Sequence, residues 1–314
     1  MSFRVKRKET PEEAVQRLTG ELIDHALASV RRCDQASALH EVRKDIKKLR
    51  AVLRLVRWEI GERTYKAQAV ALREAAGCLA ATRDAHVVNQ ALRKLAKHFK
   101  GRLAQRDLAD LKLVLQARSR DQMRQFRLGN SLEKIERSLK KTATGFRKTA
   151  IPGKKAWPAI SRGLTWSYAN GRKAFQRVRE EPSDENFHEW RKRVKDLWYH
   201  IRLLRPIWPE QMRAAARQLK LLGELIGDDH DLVLLAGVVR DARIGRAGTR
   251  RRQIIQALIN LRQSELRQEA LCMGARFYVE KPAGFRKRLG AYWKLWRNEP
   301  RKRPRNPKVF VQNH

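Results

Sequence analysis

Hydrophobic residues return every three or four positions along nearly the whole chain, and outside a short N-terminal arm they never alternate in the two-residue period of a strand. The pattern predicts an all-α protein. Thr10-Pro11-Glu12-Glu13 reads as a helix start, with Thr10 as cap, Pro11 in the first turn and Glu13 closing a capping box. That helix is expected to reach about Arg32 on a stripe of Val15, Leu18, Leu22 and Leu27. Further helices are expected over about 36–58, 62–81, up to Phe99, 103–127 and 131–148. Pro152 and Gly153 then break the pattern. Beyond them the expected helices cover 157–180, the stretch after Pro182-Ser183-Asp184 as far as Pro206, 211–226, a fresh start at Asp228, a long run to Met273, and 282–296. The expected organisation is an arm (1–9), a first helical half (10–150), a second helical half (151–297) and a basic, unstructured tail (298–314).

The helix over 36–58 is the most informative. At 100° per residue, with His40 set to zero, Arg43, Lys44, Lys47 and Arg54 fall between about −60° and +40°. Val42, Ile46, Leu49, Leu53 and Val56 occupy the opposite side. A cationic stripe of this kind fits any solvated helix face. The same helix is, however, written a second time. His188, Arg191, Lys192, Lys195, Arg202 and Arg205 repeat His40, Arg43, Lys44, Lys47, Arg54 and Arg57 at one offset of 148, and Trp190, Val194, Leu197, Ile201 and Leu204 repeat the apolar positions. Lys and Arg make up 71 of 314 residues, too few for composition to place so many basic pairs in register. A solvated face has no reason to keep its register, so the duplication points to two walls of one anion site.

Charge sharpens this reading. The net charge is +38, and an excess of that size opposes compaction unless anions offset it. The expected partner is a polyanion: nucleic acid, polyphosphate, anionic lipid or ribosome. Cys33, Cys78 and Cys272 are odd in number and lack metal-ligand spacing, so they read as reduced core thiols of a cytosolic protein. The N-terminus has no apolar run after its basic residues, and 232–239 is too short to cross a bilayer. The expectation is a cytoplasmic protein that does not enter a membrane.

H40-x-x-R43-x-x-x-K47-K48-x-R50 and H188-x-x-R191-K192-x-x-K195 resemble the two signature helices of the CHAD domain, the conserved histidine α-helical domain. R4-V5-K6-R7, R83-D84-A85-H86-V87 and L225-I226-G227-D228-D229-H230-D231-L232 are similar to that family as well, and the resemblance reaches to about Trp296. It implies one domain of two pseudo-symmetric antiparallel helical-bundle halves around a central basic groove or pore. It also implies inorganic polyphosphate as ligand and an association with polyphosphate granules. Two positions depart from the pattern: Cys78 stands where glycine is common, and Trp198 stands at the place matching the basic Arg50.

The candidate polyphosphate-binding residues are His40, Arg43, Lys44, Lys47, Arg50, Arg54, His188, Arg191, Lys192, Lys195 and Arg202. Arg forks and Lys point charges are the donors such a polymer needs. Arg172, with Tyr168 on the same predicted helix, and Tyr199 within the second basic face are added, each equally consistent with packing. Arg83-Asp84 and Asp228-Asp229-His230-Asp231 read as helix caps. The sharper reading of His230-Asp231, the dyad of metal-dependent phosphohydrolases, lacks an upstream partner His. No Gly-rich phosphate loop, Ser-His-Asp order or Cys-His pairing is present, nor the alternating E-x-E-x-K start of the triphosphate-hydrolase domain found in many relatives. The expected function is binding without catalysis or cofactor. Nucleic-acid binding is the first alternative and a metal-dependent phosphohydrolase the second, and non-specific nucleic-acid contacts at low salt follow from the charge alone.

Overall fold

In the computed structural model the described residues are 2–32, 36–79, 81–102, 105–149, 151, 156–241 and 247–300; the side chains of 36–37, 81–86, 105–108, 110, 128, 156 and 247–249 are also outside the description. Among the described residues the chain forms eleven α-helices and no strand. They are α1 (Pro11–Val30), α2 (Ala36–Leu55), α3 (Glu62–Cys78), α4 (Ala81–His98), α5 (Gln105–Leu128), α6 (Ser131–Arg147), α7 (Ala156–Glu180), α8 (Asp184–Leu203), α9 (Pro209–Asp241), α10 (Ala247–Phe277) and α11 (Pro282–Asn298), with a short 3-10 turn at Arg205–Ile207. None of them is long and apolar enough to cross a membrane. The tail expected to be unstructured falls mostly on 301–314, outside the described residues.

The start of α1 is built as the sequence predicts. Thr10 accepts from the Glu13 amide at 3.2 Å while the Glu13 carboxylate accepts from the Thr10 amide at 2.8 Å. The arm before it is extended and tied down: Val5 N–H donates to the Leu203 carbonyl at 3.1 Å, and Phe3 packs edge-on against Tyr199. Ser183 caps α8 by accepting from the Asn186 amide.

The helix order of packing repeats along the chain. α1 lies on α2 and α2 on α3; later, α7 lies on α8 and α8 on α9. The duplicated apolar stripes form the centre of this arrangement. Val42, Ile46, Leu49, Leu53 and Val56, and their counterparts Trp190, Val194, Leu197, Ile201 and Leu204, are all 2% exposed or less. Two apolar clusters result, and each draws on residues from both sides of position 150. One joins α1, α2, α3, α6, α7, α8, the N-terminal half of α9 and α11, with Phe126 of α5 and Ala270 of α10; the other joins α4, α5, the C-terminal half of α9, and α10.

One expected boundary is overturned. A helix over 211–226 and a fresh start at Asp228 are instead a single helix of 33 residues, α9. Gly223 and Gly227 fall in its interior because basic side chains of α8 lie on them, and Asp229 is not a cap but a buried acceptor for α10. Of the cysteines, Cys272 is exposed and so is no core thiol; Cys78 is half-buried, and Cys33 lies outside the described residues.

Close helix approach depends on Gly163, where an added Cβ would stand 2.0 Å from the Leu55 carbonyl oxygen at the end of α2. Gly20 on α1 has open space in the same place. Gly163→Ala should therefore lower the unfolding free energy by about 1–3 kcal/mol through overpacking. Gly20→Ala should raise it by about 0.5–1 kcal/mol through helix propensity. Urea denaturation of the two variants checks both signs, and equal midpoints would contradict this packing.

Candidate polyanion-binding site

On α2, His40 stands exposed near the N-terminal end. Partial burial and then Lys44 hold its imidazole below the ordinary value against the pull of Glu41, with Lys47 and Arg43 adding to the fall. Arg43 turns toward α3 and its guanidinium donates to the Leu79 carbonyl. Lys44 pairs with Glu41 at 2.9 Å, and Lys47 is exposed. Arg50 is half-buried, and burial, then Arg54, push its guanidinium below the usual arginine range. Arg54 reaches across to α8 and meets Asp196 at 2.7 Å.

The second copy places its cations similarly. Arg191 lies on Gly227 of α9 and Lys195 on Gly223: a Cβ at those glycines would come within 3.2 Å of Arg191 Nε and 3.0 Å of Lys195 Nζ. The pairs Arg43 with Leu79 and Arg191 with Gly227 are separated by the same offset of 148, so each basic face runs along the helix that follows its own. Lys192 is exposed and 3.3 Å from Glu189. His188 is half-buried, with its ring centroid 4.2 Å from that of His230 on α9. Trp198, at the position matching Arg50, lies between Lys195 and Arg202, whose charged groups are 5.3 and 4.5 Å from its ring centre.

Two of the expected site residues make packing or backbone contacts. Tyr199 is 6% exposed, packs against Phe3 and Trp198 and has its phenol pushed up to about 12, chiefly by burial. Its ring belongs to the core. Arg172 is exposed, but its Nε donates to the Tyr278 carbonyl at 3.1 Å and joins α7 to the end of α10. Its neighbour Tyr168 is 1% exposed, stacks on Phe285 at 4.1 Å and donates to the Glu280 carbonyl at 2.9 Å.

Where α2, α8 and the start of α9 meet under the arm there is a cavity of about 500 Å³. Seven cations line it (Arg4, Lys48, Arg202, Arg205, Arg213, Arg217 and Lys220) and no carboxylate does. Lys48, Arg213 and Lys220 have Asp45, Glu210 and Glu224 as partners from outside the lining. Among the described residues Arg4, Arg202, Arg205 and Arg217 have no ion pair. Burial, with Arg205 adding to it, pushes the Arg202 guanidinium down. Only Arg202 of the predicted set lines this cavity. Arg213, Arg217 and Lys220, spaced four and three apart, were legible as a basic stripe at the start of α9.

A hollow of about 450 Å³ between α4, α9 and α10 offers a contrast. Its charges are mixed: Asp228 and Asp231 line it beside Lys94, Lys97 and Arg262, and Lys94 meets Asp228 at 2.6 Å. Asp229 at its back is 2% exposed and accepts from Arg267 at 2.7 Å and Gln263 at 3.2 Å. Among the described residues no group of three or more His, Cys, Asp or Glu side chains is placed to hold a metal ion. Arg83, Asp84 and His86 fall in α4, but their side chains lie outside the description.

The CHAD domain family matches residues 13–240, which is most of the chain and includes both basic helices. The chain belongs to the CHAD domain family. No curated protein matches it. Within this CHAD domain the two signature helices touch through Arg54 and Asp196 and through buried His200, whose Nε2 is 2.8 Å from the Ala51 carbonyl oxygen.

His200 gives this contact a pH dependence. Burial pushes its imidazole down to about 4, so the neutral ring donates to Ala51. The unfolded chain takes up the proton near the ordinary value of about 6.5 and therefore binds more protons between the two. Stability from this group is present above about 6.5 and falls as pH drops toward 4. Urea unfolding should show a loss of about 2 kcal/mol between pH 7 and pH 5. His200→Gln, which keeps a donor without titrating, should remove most of that slope; an unchanged slope would take His200 out of the contact.

Proposed function

We propose that this CHAD domain binds inorganic polyphosphate without catalysing its breakdown. The observation that carries the reading is the seven-cation cavity without a carboxylate, to which Lys48 of α2 and Arg202 of α8 both contribute. Family membership and the net charge of +38 support it. Polyphosphate is a thin chain with charge on every unit and no base edges, so convergent Arg and Lys donors suffice to hold it. In this reading the basic residues of α2 (His40, Arg43, Lys44, Lys47, Arg50) and of α8 (His188, Arg191, Lys192, Lys195) add further contacts to the polymer beyond the cavity. His40 and Lys47 are about 10 Å apart by helix rise, a span of several phosphate units. In this reading no cofactor takes part, and the protein sits with its polymer in the cytoplasm, on polyphosphate granules.

Competition at about 150 mM salt tests the ligand class, with long-chain polyphosphate set against equal phosphate as DNA, RNA or heparin. Polyphosphate is expected to win, and a duplex DNA that displaces it overturns the reading. The melting temperature should climb with polyphosphate and hardly move with equimolar orthophosphate. Reversing Lys48 and Arg202, or Arg43, Lys47, Arg191 and Lys195, should weaken binding at least ten-fold; reversing Arg301, Lys302, Arg303 and Arg305 should do little.

The histidine gives a signed test. Its neighbours hold His40 below the ordinary value, and a bound polyanion would raise it, so binding takes up a proton. Affinity should rise several-fold as pH falls from about 8 to 6, and His40→Ala should flatten that rise. A flat profile in the parent protein removes His40 from the site.

A further inference from the structure

A second hollow without a carboxylate lies between α7 and α11, in a part of the chain where α11 is beyond the family match. It is an open groove of about 820 Å³. Its charge comes from α11, where positions 286, 287, 290, 293, 294 and 297 follow the three-four spacing of one helix face. Among the described residues Arg286, Lys287 and Lys294 have no carboxylate at ion-pair distance, whereas Arg288, outside the groove, pairs with Glu280 at 2.7 Å. Arg297 is engaged elsewhere: it holds the arm by donating to the carbonyls of Arg7 and of Glu9, the latter at 3.1 Å.

Two indoles distinguish this groove from the cavity at Lys48 and Arg202. Trp157 of α7 and Trp293 of α11 line it with ring centroids 5.9 Å apart. Trp293 is 7% exposed and forms the rear wall. Trp157 is half-buried and lies along Gly290, where an added Cβ would stand 2.9 Å from its Nε1. The missing side chain at 290 is what lets the indole settle on the helix between the cations.

Polyphosphate supplies charge but no flat apolar face, so it leaves the indoles unused. A duplex keeps its base faces inside the stack. A single strand offers both spaced phosphates and free base faces, the combination that aromatic and basic grooves take up. The chain's own C-terminal segment is a poor occupant, because residues 300–314 hold five Lys or Arg and no Asp or Glu. We propose that the α7–α11 groove is a single-stranded nucleic-acid site, with Trp157 stacking a base and Arg286, Lys287 and Lys294 holding adjacent phosphates. The site shares no residue with the polyphosphate cavity and stands whether or not that cavity binds polyphosphate.

The test uses the full chain at about 150 mM salt and fluorescence anisotropy of two labelled probes of equal charge: an oligothymidylate of about twelve units and an abasic phosphodeoxyribose oligomer of the same length. The oligothymidylate is expected to bind at least ten-fold more tightly. Trp157→Leu should remove that advantage while leaving abasic binding unchanged, and Trp157→Phe should keep most of it. Combined Arg286→Glu, Lys287→Glu and Lys294→Glu should abolish the oligothymidylate's ten-fold advantage, leaving at most the weaker binding that the cavity at Lys48 and Arg202 gives either probe, whereas Lys48→Glu with Arg202→Glu should leave that advantage intact. Far-UV circular dichroism and melting temperature verify that each variant folds; if Trp157→Leu does not, the abasic comparison and the Phe variant decide. Equal binding of the two probes, full displacement by equal phosphate of polyphosphate, or undiminished binding by the triple variant overturns the proposal, leaving a plain charge patch open equally to acidic peptides.

Discussion

Buried carboxylates at helix crossings let a chain with so much positive charge close at all. Asp196 is 13% exposed at its side chain and takes Arg54 of α2 at 2.7 Å and Arg193 at 3.8 Å. Asp45, fully buried on α2, takes Lys48 at 2.7 Å and the imidazole of His25 on α1. Asp229 on α9 takes Arg267 of α10, which also grips Asp184 at the start of α8. Burial pushes Asp196 and Asp229 up, and the arginines beside them act against that rise. Removing one partner from a buried pair strands the other charge and typically costs several kcal/mol. Acids are used where helices cross and are withheld from the cavity at Arg202 and the groove at Lys287. Positive charge without a lining acid is left in those two places.

Much of this architecture is legible in the sequence. The three-four period gives the helices, and the repeat at offset 148 identifies both the buried stripes and the basic faces before any coordinates exist. What escapes is what depends on distant contacts. The break expected between 226 and Asp228 does not occur, and α9 runs through Gly227, on which Arg191 lies as Lys195 lies on Gly223. Tyr199 shares its helix with cations, and the packing of Phe3 from the arm and of Trp198 puts its ring in the core. The cavity gathers residues 4, 48, 202 and 217 from four stretches of chain, and the groove pairs Trp157 with residues more than a hundred positions later. No window along the sequence contains either.

The trench that two glycines cut into α9 has a consequence for how tightly anything could be held there. A lysine or arginine on an open surface surrenders about 1.5–2 kcal/mol of rotamer freedom when a ligand fixes it. Arg191 and Lys195 are already laid down against Gly227 and Gly223, and Arg43 is already fastened to the Leu79 carbonyl. Their placement is completed during folding, so under the proposed function a polymer held there would lose less entropy on contact. Two absent methyl groups would then act on affinity without ever touching the ligand.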